Sequence, residues 1–321
     1  MMNYKILNQK ISFIFLRVTF LLFAIAAIAP NFNNLILNDY FCSFLILTIG
    51  LSHGALDNQK GKIVLDFFKS NKMSFFYIAY VSFSLLAISC WYNFPTVSLL
   101  TLLIIGPYHF GKDDCDLFKI NKFSFRNIVF FVKGTVVISA PLLFNFNETI
   151  DIFRLLSSES NFLISSLLYL NENNLILFFV LFGFISSIYL PRDFSIKFLL
   201  YVEFTSIILL NYLFKPFTAF TIYFCFLHSM RHIIVLNKSL NLSKIKNKEL
   251  STSVFNIFNN FYKHAIKLTL ISSFIFLASM YISSNILYLD DTLLRIIFPG
   301  LAALTLPHII LDFFYEKVKT N

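Results

Sequence analysis

The chain has 321 residues, of which 57% are hydrophobic and only 13% are charged. A soluble domain normally carries about 25% charged residues, because its surface must be hydrated. The composition therefore excludes an ordinary soluble globule, and the net charge of +9 does not indicate a nucleic-acid binder, because the basic residues lie in short segments between apolar runs.

Apolar stretches long enough to cross a bilayer recur along the whole chain. They predict ten candidate spans, at residues 12–30, 35–54, 74–92, 96–111, 127–145, 174–190, 198–214, 216–236, 266–285 and 292–314. Three of these are short, so the predicted count is eight to ten. The first stretch resembles a signal peptide, but its length favours a retained helix. We therefore expect an all-α, polytopic transmembrane helical bundle, with residues 1–321 in a single integral-membrane domain.

Basic residues are distributed unequally between alternate loops. If the N-terminus is cytoplasmic, the loops on that side hold most of the Lys and Arg residues, in segments 60–72, 112–126, 192–197, 238–263 and 317–319. The opposite loops contain little beyond Arg154, Lys215 and Arg295. By the positive-inside rule, this asymmetry predicts a multi-pass protein of the cell (inner) membrane with both termini in the cytoplasm.

The histidines are few and occupy similar positions in their helices. Five of the six lie near the predicted cytoplasmic ends of spans: His53, His109, His228, His232 and His308. A single histidine at such a position is usually just interfacial, but five at one depth indicate a metal site. The sixth, His264, is expected to be solvated in a basic loop.

The spacing of His228 and His232 favours metal binding. Residues four apart share one face of a helix, so both imidazoles can reach one ion. His53 and His109 would complete a set of four. Imidazole ligands without thiolates suit iron, copper or zinc, and open positions favour oxygen chemistry at iron. The four cysteines have no CxxC spacing, which argues against a zinc ribbon or a disulfide framework.

Polar residues and glycines accompany the histidines. A metal-bound histidine usually donates its other N–H to a carboxylate or carbonyl, and Asp57 and Asp114 are the candidate acceptors. Arg231 requires a partner, because an unpaired charge within a span is costly. Gly54, Gly106 and Gly111 are expected to allow close helix packing.

Four motifs occur in order between about residues 50 and 312: His53-Gly-Ala-Leu-Asp57, His109-Phe-Gly-x-x-Asp114, Phe224-Cys-x-x-His-Ser-x-Arg-His232 and Pro307-His308. Together they resemble the Brp/Blh family of bacterial and archaeal membrane proteins, the beta-carotene 15,15'-dioxygenases that make retinal.

The resemblance implies a non-haem Fe(II) enzyme that adds O2 across the central double bond of beta-carotene and releases two molecules of all-trans retinal. Carried over by motif, the iron ligands would be His53, His109, His228 and His232, with His308 a fifth ligand or a nearby polar group. Tyr108 and Tyr223 are candidates for lining a substrate tunnel. The bilayer would supply the dissolved substrate, and a retinal-binding rhodopsin would be a downstream partner.

Other classes of function remain to be weighed. An intramembrane metal or proton transporter would use the histidines as its pathway, but it needs polar groups at several depths. A b-type haem protein would place histidine pairs at two depths. A desaturase-like di-iron enzyme would need more histidines than this chain has. The dioxygenase is therefore the leading hypothesis and the transporter is its alternative.

Overall fold

The computed structural model describes residues 4–28, 37–70, 72–115, 125–189, 194–240, 254–284 and 289–320. For a few residues within these ranges, including His53, only the backbone is described. Every regular element in these ranges is helical, which confirms the predicted all-α class. The orientation of the termini and the single-domain organisation stay predictions.

The described residues form fifteen α-helices, numbered in chain order: α1 Tyr4–Ile28, α2 Asp39–Leu45, α3 Asp57–Phe67, α4 Met73–Asn93, α5 Pro95–Asp113, α6 Arg126–Gly134, α7 Val136–Phe144, α8 Phe146–Ser157, α9 Asn161–Glu172, α10 Leu175–Tyr189, α11 Phe194–Leu213, α12 Pro216–Tyr223, α13 Met230–Ser239, α14 Val254–Ser284 and α15 Leu289–Thr320. A π-helical turn, Ile46–Gly50, and a 3-10 turn, Leu51–Gly54, follow α2. A second π-helical segment, Phe224–Ser229, joins α12 to α13.

Several of these helices are long and apolar enough to cross a membrane. Within the described ranges there are seven: Ile6–Ile28, Met73–Asn93, Arg126–Phe144, Phe194–Leu213, Pro216–Asn237, Val254–Ser283 and Thr292–Val318. Helices α9 and α10 add an eighth span if the pair, which is bent by 75°, counts as one. The polytopic helical bundle is therefore as predicted, but the count of seven or eight reaches the predicted eight to ten only at its lower limit.

Three predicted spans are absent from these seven. One of them, 96–111, forms the unbroken helix α5, and local breaks account for the other two. The predicted span 35–54 is a short apolar helix, Asp39–Gly50, followed by a 3-10 turn. The predicted span 174–190 is half of the bent pair, whose bend lies at Asn173 and Asn174. Asn174 has a left-handed backbone (φ 56°), a conformation that asparagine tolerates better than most residues and that ends a right-handed helix.

The span that carries the histidine pair is the most enclosed part of the bundle. In the span Pro216–Asn237, 78% of the most apolar 18-residue stretch is buried, whereas none of the corresponding stretch in Met73–Asn93 is buried. The two π-helical segments pack against each other here, and a Cβ on Gly50 would lie 2.7 Å from the Phe224 ring. π-Helical turns occur frequently at functional sites. One of them contains His228, and the other leads into the turn that contains His53.

Helices α5 and α6 are in backbone contact through two glycines. A Cβ built on Gly111 would lie 1.8 Å from the carbonyl oxygen of Phe130, and one built on Gly134 would lie 1.8 Å from that of Pro107. Small residues at such a crossing let two backbones approach closely. This contact bears out the expected role of Gly111 and holds the end of α5 that carries His109.

Replacing Gly111 with alanine is expected to destabilise the protein, because the added methyl group overlaps backbone that cannot move aside. Overpacking of this kind typically costs about 1–3 kcal/mol, and an overlap with backbone should cost at least that. Thermal unfolding of the purified protein should show a clearly lower Tm. The matched control is Gly106→Ala on the same helix, where the new Cβ meets only the Phe110 ring, at 3.8 Å. Equal Tm values for the two variants would contradict the close approach.

Candidate metal centre

Four buried histidines from three parts of the fold lie close together. His109 comes from α5, His228 and His232 from the π-helical segment and α13, and His308 from α15. All four side chains are buried. The His109 ring centroid lies 5.2 Å from that of His228, 5.5 Å from that of His308 and 6.3 Å from that of His232. The His232 and His308 rings are 4.9 Å apart. These four residues are called the histidine cluster below.

The structure places His308 beside the other three histidines, and it describes His53 only partly. His308, left open between ligand and neighbour, lies within the cluster. His53 lies in the 3-10 turn Leu51–Gly54, which packs against α13 and α15, the helices that carry His232 and His308. The side chain of His53 is outside the described part of the chain, so its role as a ligand stays a prediction.

Carboxylates face the Nδ1 atoms of three of the rings. Asp113 accepts a hydrogen bond from His232 Nδ1 at 2.8 Å, and Asp57 accepts one from His308 Nδ1 at 2.8 Å. Asp114 Oδ1 lies 3.7 Å from His228 Nδ1. A histidine whose Nδ1–H is held in this way presents Nε2 on the opposite side of its ring. This pattern is the usual support of a metal-bound histidine.

The donor atoms fit a transition metal. Two groups, His109 with Asp113 and His228, and His232 with His308 and Asp312, each have candidate ligand atoms within 4.8 Å of one another. Neutral imidazoles with carboxylates nearby suit iron, copper or zinc, whereas magnesium and calcium prefer sites built from oxygen. Four imidazoles in one buried place, each beside a carboxylate, therefore fit an iron centre by the chemistry of their donors.

A buried ionic network supports the centre from the side of α1 and α11. Arg231, which is 0% exposed, makes an ion pair with Glu203. Its guanidinium also donates to Asn8 Oδ1 at 2.8 Å and to Ser12 Oγ at 2.9 Å. Arg231 Nη1 lies 3.9 Å from Asp114 Oδ1, which links the network to His228. The partner expected for Arg231 is therefore Glu203, which lies on another helix and could not be identified from spacing.

Further polar contacts surround His308. Asp312, one helical turn later, has Oδ2 at 3.5 Å from His308 Nε2 and pairs with the buried Lys60 of α3. The Tyr80 hydroxyl donates to Asp57 at 2.9 Å. These contacts tie α3 and α4 to α15 at the histidine cluster. Lys60 and Tyr80 were not identified from the sequence, because nothing in their local pattern distinguishes them from other lysines and tyrosines.

Two cavities open on the cluster from different sides. Cavity A, of about 120 Å³, is lined by Leu103, Gly106, His109, Pro141, Phe153 and Phe220, among others. Cavity B, of about 230 Å³, is lined by Gly54, Asp57, Phe76, Tyr80, Leu268 and His308, among others. Leu301 and Thr305 of α15 line both cavities. The walls of both are mainly apolar, so they can hold a hydrocarbon next to the imidazoles.

The remaining predicted site residues have other surroundings. Tyr223 is buried and donates its hydroxyl to Asp114 at 2.8 Å, and Tyr108 packs beside Cys115 and Phe130. Neither tyrosine lines cavity A or cavity B. His264 is exposed, as expected, but it lies on α14 and not in a loop, because that helix begins at Val254.

Asp113 was not a leading candidate, yet it is the carboxylate closest to two cluster histidines: 2.8 Å from His232 Nδ1 and 3.6 Å from His109 Nε2. Its position four residues after His109 was the available signal. We expect Asp113→Asn to lower metal affinity by about 10–100-fold, because it weakens the contact that orients His232. Metal content should be measured at limiting metal. The exposed Asp66 gives the control, Asp66→Asn, and equal retention by both variants would contradict this role.

Comparison with known proteins agrees with the motifs. Residues 44–315 match the family described as "Beta-carotene 15,15'-dioxygenase". A relative from the uncultured marine bacterium 66A03, with the same name, is 27% identical over 289 residues, which is 88% of this chain and 96% of that relative. No solved structure gave a significant match.

Proposed function

Because this chain belongs to the beta-carotene 15,15'-dioxygenase family, we propose that it cleaves beta-carotene at the central double bond to give two molecules of all-trans retinal. O2 would be the second substrate, with one oxygen atom entering each aldehyde. The observation that carries the proposal is the histidine cluster, four buried imidazoles of which that of His109 lines cavity A and that of His308 lines cavity B.

We propose Fe(II) as the metal, held by His53, His109, His228 and His232, with His308 as a fifth ligand or as a polar group beside it. The donor set supports this choice, since imidazoles with open positions suit iron oxygenases. When bound, iron would supply the redox chemistry that lets O2 react with a polyene.

Side chains of the protein would position the substrate and orient the metal-binding histidines. Asp113 and Asp57 would hold the Nδ1 protons of His232 and His308, so that each ring turns its other nitrogen inward. The apolar walls of cavities A and B would bind the hydrocarbon and exclude water from the reaction. A polyene dissolved in the bilayer would reach such a site without passing through water.

The site is proposed to lie toward the cytoplasmic side of a multi-pass protein in the cell membrane. The loop charges support this orientation. The retinal product would then be released in the membrane, where a retinal-binding rhodopsin could use it.

The test is expression in bacteria that accumulate beta-carotene, followed by chromatography of the extracted pigments. We expect the yellow colour to fade and all-trans retinal to form. With purified protein, a chelator should abolish cleavage, and Fe(II) but not Zn(II) should restore it. A folded, iron-loaded protein that leaves beta-carotene unchanged would disprove this substrate. A folded protein that binds no metal would disprove the enzyme, and the transporter hypothesis would take its place.

A further inference from the structure

The glycines of this protein fall into two groups. A Cβ added to six of the eight glycines would meet a neighbouring atom at less than 3.0 Å, so close packing explains them. Gly54 and Gly106 are different. Among the described residues, a Cβ on Gly54 would meet only Asp57, and one on Gly106 only Phe110, each at 3.8 Å. Close helix packing, the role expected from the sequence, therefore does not explain these two positions.

Backbone conformation does not explain them either. No glycine in the described part of the chain has a positive φ, so an L-residue could adopt either backbone. Glycine inside a helix costs about 0.5–1 kcal/mol relative to alanine. Gly106 lies within α5, so glycine at this position destabilises the helix, and neither close packing nor a turn explains its presence.

What Gly54 and Gly106 share is their position at the histidine cluster. Gly106 lines cavity A, three residues before His109. Gly54 lines cavity B, next to His53 and three residues before Asp57, which holds His308. Each cavity therefore has one glycine in its wall near the cluster, at a place where any larger side chain would extend into the cavity.

The two cavities adjoin at α15. Leu301 and Thr305 belong to the walls of both, and Thr305 lies about one helical turn before His308. The Thr305 hydroxyl donates to the carbonyl oxygen of Leu301 at 2.7 Å, so it is already hydrogen-bonded within its own helix. A hydrocarbon that crosses this junction would therefore leave the Thr305 hydroxyl hydrogen-bonded.

We propose that cavities A and B hold the two halves of one linear polyene, whose central bond lies at Leu301 and Thr305 beside the histidine cluster. Gly106 and Gly54 are the specificity-determining positions, because each leaves open the path of one half toward the cluster. This inference rests on the proposed function and deepens it. The substrate must carry an apolar arm on both sides of the cleaved bond, and a ligand of half the length fits either cavity separately.

Binding stoichiometry tests the proposal without relying on catalysis. The full-length protein in lipid nanodiscs, kept under argon, is titrated with beta-carotene or with all-trans retinal, which has half its carbon skeleton. Bound pigment is counted after gel filtration, and quenching of the single tryptophan, Trp91, gives the isotherm. Trp91 Nε1 donates to the carbonyl oxygen of Leu156, a residue of the cavity A wall. The unmodified protein should bind one beta-carotene or two retinals.

A larger side chain in one cavity should remove the binding site for one half of the polyene. In Gly106→Leu and in Gly54→Leu, the Kd for beta-carotene should rise at least tenfold, and the retinal count should fall from two to one. The double variant should bind neither ligand. Ala79→Leu adds the same bulk on the exposed face of α4 and serves as the background control. If a glycine variant does not fold, Leu103→Trp replaces it for cavity A and Leu268→Trp for cavity B.

The outcomes separate this proposal from the proposed function. Unchanged beta-carotene binding in both single variants, or two retinals bound by each, would overturn the two-cavity arrangement even if the protein cleaves beta-carotene. Loss of one retinal in each single variant would support it, even if the unmodified protein binds beta-carotene without cleaving it. In that second case only the proposed reaction would fail.

Discussion

His232→Ala is expected to abolish cleavage of beta-carotene and to lower the metal content of the purified protein. The His232 ring lies 4.9 Å from that of His308 and is held by Asp113, so its loss removes a donor from the histidine cluster. Removing only the hydrogen-bond partner of a metal ligand typically lowers metal affinity or activity by about 10–100-fold. The loss of the ligand itself should therefore exceed 100-fold in the rate of retinal formation. Retinal is measured by chromatography and metal by elemental analysis.

His264→Ala is the matched control. His264 is exposed on α14, and its Nδ1 lies 2.8 Å from the carbonyl oxygen of Asn260, so it has no part in the cluster. This variant should keep full activity and metal content. If His232→Ala folded, kept its metal and still released retinal at the normal rate, both the metal centre and its place in the reaction would be wrong.

Glu203→Ala is expected to have the largest effect on stability. Arg231 is completely buried, and Glu203 is its ion-pair partner. Breaking a buried ion pair by removing one partner costs about 3–5 kcal/mol, because the remaining charge stays in an apolar environment. Much of the protein should fail to purify as a single species, and the folded remainder should show a strongly lowered Tm. Glu203→Gln, which keeps an acceptor oxygen, should lie between Glu203→Ala and the unmodified protein.

An exposed ion pair provides the comparison. On α8, Arg154 Nη1 lies 3.0 Å from Asp151 Oδ1, and the two side chains are 49% and 69% exposed. Exposed pairs of this kind contribute about 0–1 kcal/mol, so Asp151→Ala should hardly change the Tm. Similar Tm values for Glu203→Ala and Asp151→Ala would show that the buried network does not carry the stability assigned to it.

The local periodicity of the chain was enough to predict most of the architecture. Long apolar runs can bury their backbone polar groups in lipid only as helices, so the helical bundle follows from composition and run length. The shared face of His228 and His232 follows in the same way from helix geometry. Breaks within the runs are less predictable. The bend at Asn173 and Asn174 and the early start of α14 at Val254 changed the span count and the position of His264.

The hydrogen-bond and ion-pair partners within the site could not be predicted from local sequence spacing. Asp57 lies four residues after His53, but among the described side chains the histidine that is hydrogen-bonded to it is His308, which is 251 residues away in sequence. Asp113 holds His232 across 119 residues, and Glu203 pairs with Arg231 from a different helix. Such pairings depend on how each helix is rotated about its axis and on which neighbour it packs against. A single sequence does not contain this information in its spacing.

By itself, the sequence determined that this protein is an all-α bundle of apolar helices and that its histidines gather in a few motifs, because both depend on residue type and on helical periodicity. The tertiary structure alone decided that His308 belongs to the cluster, that Asp113 supports it, and that two cavities adjoin at Leu301 and Thr305. It also separated the glycines required for packing from those that leave space. The physical reason is that a cavity is bounded by several helices at once, so no single stretch of the chain encodes its shape.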